Sequence, residues 1–108
     1  GHDALVANTT GEYCVAIGGN ALDENTTASN NVAVGKNALT ANTTGASNNA
    51  FGMQALYSCT TSNNNNAFGK DACRVVSTGL HNTGMGHGAI ENVTTGDNNT
   101  GIGYNSYH

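Results

Sequence analysis

A single 17-residue unit, repeated six times without insertion or deletion, constrains this chain more than anything else in it. The copies span residues 4–20, 21–37, 38–54, 55–71, 72–88 and 89–105, here coils one to six. Residues 1–3 read as a remnant or the end of a preceding segment, and 106–108 as the start of a seventh coil. A fixed short period with no helix-length stretch is the mark of a stacked solenoid. The expected fold is therefore all-β: a parallel β-solenoid, or β-roll.

Reading down the repeat turns residues into columns. Position one is always Ala, and position two is Leu5, Leu22, Leu39, Leu56, Cys73 or Ile90. Thr or Ser fills positions six and seven, and small residues fill position eight. Asn recurs at position eleven, with Cys14 the exception. Ala or Gly occupies position thirteen, a large apolar residue position fourteen, and Gly position fifteen. Two apolar clusters separated by Gly- and Asn-rich turns predict two short strands per coil. Parallel stacking at about 4.8 Å gives a rod of roughly 29 Å. Alternation along a strand sends position fourteen to one face and positions thirteen and fifteen to the other. The favoured assignment joins position fourteen to position two inside the roll and leaves the Ala/Gly column for neighbouring chains; the reverse is its close competitor. Two large side chains per coil make a thin interior, and the coil ends carry only Gly and polar residues. An obligate oligomer follows, most simply a parallel homotrimer.

Charge and composition exclude several classes. Charged residues are only 9% of the chain, and the net charge is −4 with three basic residues, Lys36, Lys70 and Arg74. No basic stripe exists to meet phosphates, so nucleic acid is not an expected partner. No apolar run reaches membrane-spanning length, and no signal peptide is visible. Abundant Gly and Asn would suit disorder, but a strict apolar column in every copy argues for a packed fold.

The search for chemistry yields little. Asp3, Glu12, Asp23, Glu24, Asp71, Glu91 and Asp97 share no acidic column, and no nucleophile elbow or triad spacing appears. No catalytic residue and no cofactor is expected. His81 and His87 flank Met85 in coil five, but their spacing matches no metal-ligand pattern. The nine-residue period and recurring Asp of calcium-binding rolls are absent. Three cysteines cannot pair completely within one chain: Cys73 stands in a core column and reads as a buried thiol, and Cys59 lies too far from it for a bridge. Asn columns can hydrogen-bond along the stack. Sequons at Asn8, Asn25, Asn42, Asn92 and Asn98 follow from the repeat itself.

The unit Asn31-Val32-Ala33-Val34-Gly35-Lys36-Asn37-Ala38-Leu39, matched by Asn48–Ser58 and by Asn99–Tyr104, resembles the head repeats of YadA-like trimeric autotransporter adhesins and, more closely, repeats of phage tail fibres. The resemblance covers nearly the whole chain and weakens in coil five, where Arg74-Val75-Val76-Ser77 departs from it. It implies a trimeric parallel β-roll in an extracellular or virion-surface fibre, a shaft or head that builds a stiff rod and presents loops for host attachment. The partner so implied is the chain itself, with a cell-surface glycan or protein receptor beside it. The candidate ligand-binding residues are Arg74, His81, His87, Tyr57 and Tyr104. A glycan-binding module using polar and Tyr loops is the alternative reading. An ice-binding Thr array is a third, weakened because adjacent Thr side chains should point to opposite faces.

Overall fold

The computed structural model describes residues 1–107; His108, the last residue of the incipient seventh coil, lies outside the described residues. Among them there is no helix, and the strands are β1 (Val15–Ile17), β2 (Val32–Val34), β3 (Asn49–Phe51), β4 (Asn66–Phe68), β5 (Thr83–Met85) and β6 (Thr100–Ile102). They form one parallel sheet in chain order, each residue pairing with the residue 17 places on, as in Ala16 with Ala33 and Phe51 with Phe68. The molecule measures 35 × 22 × 17 Å. The β-solenoid and its period are as the sequence implies.

Each coil contributes one strand where two were expected. The segment around positions one and two does stack in register, with Leu22 N–H donating to Ala38 O at 3.1 Å and Leu39 N–H to Ala55 O at 3.0 Å. It is not extended, because position two lies in the left-handed region: φ is 52° at Leu22, 51° at Cys73 and 54° at Ile90. Positions ten and seventeen take the same conformation, as at His81 (φ 59°) and Asn20 (φ 58°). Asn and Asp accept this backbone readily, whereas Leu and Ile do so at roughly 1–2 kcal/mol each. Three such bends per coil close the loop in seventeen residues, and complete burial of Leu22, Leu39, Leu56 and Ile90 offsets the strain.

The facing of the strand is the reverse of the favoured assignment. Ala33, Ala50 and Ala67 at position thirteen are fully buried against the position-two side chains. Position fourteen points outward: Val34 is half-buried, Phe51 37% exposed and Ile102 69% exposed. The interior of so small a loop has room for Leu opposite Ala, and no room for Leu opposite Phe. Where position two changes, position thirteen follows. A Cβ added to Gly84 would stand 2.7 Å from Cys73 Sγ, and one added to Gly101 would stand 2.8 Å from Ile90 Cγ1.

The Gly at position fifteen has a direct cause. Its φ runs from 112° at Gly103 to 136° at Gly69, and a Cβ at Gly52 would lie 2.5 Å from the backbone carbonyl of Gly69 in the next coil. Gly1, His2 and Asp3 occupy positions fifteen to seventeen ahead of coil one: His2 O accepts Asn20 N–H at 2.8 Å, as Gly19 O accepts Asn37 N–H at 2.9 Å. Ser106 O accepts Ile90 N–H at 2.9 Å, so the stacking pattern continues beyond residue 105.

Candidate functional site

One corner of the roll gathers most of the chain's charge. It is built from position three of each coil and from positions sixteen and seventeen before it. Position three holds Tyr57, Arg74 and Glu91 in succession, and position sixteen holds Lys36, Met53, Lys70, His87 and Tyr104. All three basic residues of the chain therefore stand in these two columns. Asp71, at position seventeen, lies between them. Its carboxylate is 3.7 Å from Lys70 Nζ, 3.7 Å from Arg74 Nε and 3.7 Å from His87 Nε2. Arg74 also reaches Glu91 at 3.9 Å, and the His87 ring meets Tyr104 edge-on at 5.3 Å. Asp71 Oδ1 is shielded from solvent yet accepts no hydrogen bond. The basic side chains around it are 39–52% exposed. No cavity opens among the described residues, so the corner is a surface strip.

Four of the five sequence-derived site residues, Tyr57, Arg74, His87 and Tyr104, fall on this corner. His81 does not: it sits at the position-ten bend, exposed, with its N–H on Asn63 O at 3.4 Å. The residues that sequence reading missed are Lys70, Asp71 and Glu91. The column index could have found Glu91, because it follows Tyr57 and Arg74 at the same position. Asp71 is visible only once the corner is folded.

Elsewhere polar residues serve the backbone. At position nine, Asp97 Oδ1 accepts Leu80 N–H at 2.7 Å and Asn63 Oδ1 accepts Ala46 N–H at 2.7 Å, so each side chain holds the backbone of the coil before it. The position-six hydroxyls donate to the next coil's backbone, as Thr9 to Thr26 O at 2.9 Å and Thr26 to Thr43 O at 3.2 Å. The position-seven threonines are all exposed, so adjacent Thr side chains do diverge and one outward rank of hydroxyls remains. Asn25 and Asn42 are fully buried and hydrogen-bonded in the interior, which withdraws those two sequons from glycan transfer once the chain is folded.

The cysteines are free thiols. Burial pushes Cys59 up from 9.0 to about 11 against the opposing hydrogen bonds from Ser62. Burial likewise takes Cys73 to about 12, with the Gly84 backbone opposing and the neighbouring Cys59 adding. Both are inert core groups at neutral pH. No group of three His, Cys, Asp or Glu side chains among the described residues is placed to hold a metal ion, and no helix is long and apolar enough to cross a membrane.

Comparison with known proteins returns no matching family, no matching characterised protein and no matching solved structure. The likeness to tail-fibre and adhesin repeats rests on the repeat residues alone.

Proposed function

We propose that this chain is a structural segment of an extracellular or virion-surface fibre, the shaft or head of a tail fibre or surface adhesin, and that it works as a parallel homotrimer without enzymatic activity. The observation that carries this reading is the outward stripe Ile17, Val34, Phe51, Phe68, Met85 and Ile102. It runs the full length of the sheet, and Phe51 and Phe68 stack at 5.0 Å within it. Position twelve widens the stripe in coils one and two, where Val15 and Val32 are also apolar. An exposed apolar face of this length is an interaction surface. A second copy of the chain is its natural cover, because a parallel copy offers the same column at the same spacing. Cyclic symmetry lets every stripe be buried at one shared axis. The interior, reduced to Leu and Ala once position fourteen turns outward, gains most from such burial. Presentation of the charged corner to a receptor belongs to the same reading.

Light scattering tests it: the expected mass is three times 10.9 kDa. The Phe51→Asp/Phe68→Asp variant, which puts charge into the stripe without touching the interior, should dissociate. A monomeric wild-type chain would sink the trimer.

A further inference from the structure

The charged corner has an unusual hydrogen-bond balance. Three basic side chains surround the Asp71 carboxylate, yet each stands at 3.7 Å, beyond hydrogen-bond reach. Their donors are therefore uncommitted: three on Lys70, several on Arg74 and the outward nitrogen chemistry of His87. On the acceptor side, Asp71 Oδ1 is buried without a donor and out of a ligand's reach, and the oxygen that a ligand can meet is Oδ2, 3.7 Å from both Lys70 Nζ and His87 Nε2. A group bound here would find cationic donors and one carboxylate acceptor side by side. A simple anion satisfies the first and is repelled by the second. A simple cation does the opposite. A molecule carrying both a carboxylate and hydroxyls satisfies both, its carboxylate on Lys70 and Arg74 and a hydroxyl donating to Asp71 Oδ2.

The aromatic side chains add an orientation. Tyr57 precedes Arg74 by one coil in its column, and Tyr104 follows His87 by one coil in the adjoining column. The two tyrosines thus bracket the charged groups along the fibre axis, about three coil spacings or ~14 Å apart. Tyr104 is 73% exposed, with its ring held by edge contact with His87. Exposed rings at the two ends and polar groups between them suit an extended chain of ring-shaped polar units lying along the corner. Of the other acids, Glu12 and Asp97 belong to position nine, outside the columns that build this corner; Asp3 and Asp23 stand in its columns but nearer the start of the chain, and Glu91, 3.9 Å from Arg74, is a second acid beside the cations.

We infer that the corner formed by Tyr57, Lys70, Asp71, Arg74, His87 and Tyr104 is a binding site for an acidic oligosaccharide, a short chain of carboxylated sugars running parallel to the solenoid axis. The site lies within one chain, so it does not depend on the trimer. The test is calorimetric titration of the intact protein, in its native oligomeric state, with tetragalacturonate, and with cellotetraose as the uncharged counterpart. Tetragalacturonate should bind, at least tenfold more tightly than cellotetraose, and more weakly as salt is raised. Arg74→Ala should weaken binding tenfold or more, and Tyr104→Ala several-fold. Lys70→Gln, at a half-exposed position, gives a second loss should Arg74→Ala fail to fold. His81→Ala, outside these columns, should leave binding unchanged. Absence of tetragalacturonate binding, equal binding of cellotetraose, or binding indifferent to both Arg74→Ala and Lys70→Gln would each overturn the proposal. A monomer that binds tetragalacturonate would overturn the trimer alone.

Discussion

Coils one to three and coils four to six have the same backbone and different interiors. At position five the first three hold Asn8, Asn25 and Asn42, and the last three hold Cys59, Val76 and Val93. In the first half these amides form a chain: Asn25 Nδ2 donates to Asn8 Oδ1 at 2.9 Å, and Asn42 Nδ2 to Asn25 Oδ1 at 3.0 Å. The chain stops at Cys59, and Asn42 Oδ1 is left buried with no hydrogen bond. Position eleven behaves differently. Asn31, Asn48, Asn65, Asn82 and Asn99 continue through the boundary, each oxygen from Asn31 to Asn82 accepting the backbone N–H of the next Asn at 2.9 Å. The difference teaches which polar residues the fold can give up. Position-five oxygens serve only one another, whereas position-eleven amides hold the main chain.

The position-eight carbonyls show how the two columns cover for each other. Gly11 O and Ala28 O are bonded by Asn8 and Asn25 of position five. Gly45 O accepts from both columns, from Asn42 at 3.0 Å and Asn31 at 2.7 Å. Ser62 O, Gly79 O and Gly96 O receive an Asn amide from position eleven alone, each at 2.8 Å. Where position eleven is Cys14, position five is still Asn; where position five has become Cys or Val, position eleven is Asn. Every one of these carbonyls keeps at least one amide, as burial of backbone groups demands.

Breaking the constant column should therefore cost most. Asn65→Ala strips Gly79 O of its amide and Asn82 N–H of its acceptor, both in the buried half that has no second column. Two orphaned backbone groups at roughly 1–3 kcal/mol each give about 4 kcal/mol of destabilisation. Urea unfolding measures it, and a loss below about 1 kcal/mol would show that water or relaxation replaces the amide.

A second difference along the chain is steric and begins one coil later. Leu opposite Ala in coils one to four becomes Cys73 opposite Gly84 in coil five. Gly84→Ala would bring its Cβ against Cys73 Sγ and also within 2.8 Å of Ala89 O. Overpacking of this kind costs roughly 1–3 kcal/mol. The double variant Cys73→Leu/Gly84→Ala restores the pair of the first four coils and should recover most of that loss. In a double-mutant cycle the coupling should reach about 1 kcal/mol; strict additivity would mean that the pairing is coincidental.

Much of this was legible before folding, and the reasons differ by feature. The period, the coil boundaries and the burial of Cys73 follow from column identity, because stacking places like over like. The facing of the strand was not legible, since alternation fixes only that Ala16 and Ile17 point opposite ways. The choice is made by the narrow interior, which depends on left-handed bends at Leu22 and its equivalents. Local preference disfavours such a bend for Leu, so no sequence signal announces it; closure of the coil imposes it. The corner site was half legible. Tyr57 and Arg74 share one column and His87 and Tyr104 another, but only the turn at positions sixteen to three brings the columns together around Asp71.

The smallest expected effect tests the dispensable column most sharply. Cys59→Asn would give Asn42 Oδ1 the donor that it lacks, which alone should stabilise by about 1 kcal/mol. The new amide oxygen would in turn face Val76, which has nothing to donate. The unsatisfied acceptor would move one coil along without disappearing, so the net change should stay within about 0.5 kcal/mol. A clear gain would mean that the new oxygen finds a partner that Asn42 does not have, and a loss above about 1 kcal/mol would mean that the buried Cys59 thiol, 3.1 Å from Ser62 Oγ, is a better neighbour than the column arithmetic allows. Near-neutrality would leave the boundary between the two halves free to sit at any coil, held in place by nothing but the continuity of position eleven.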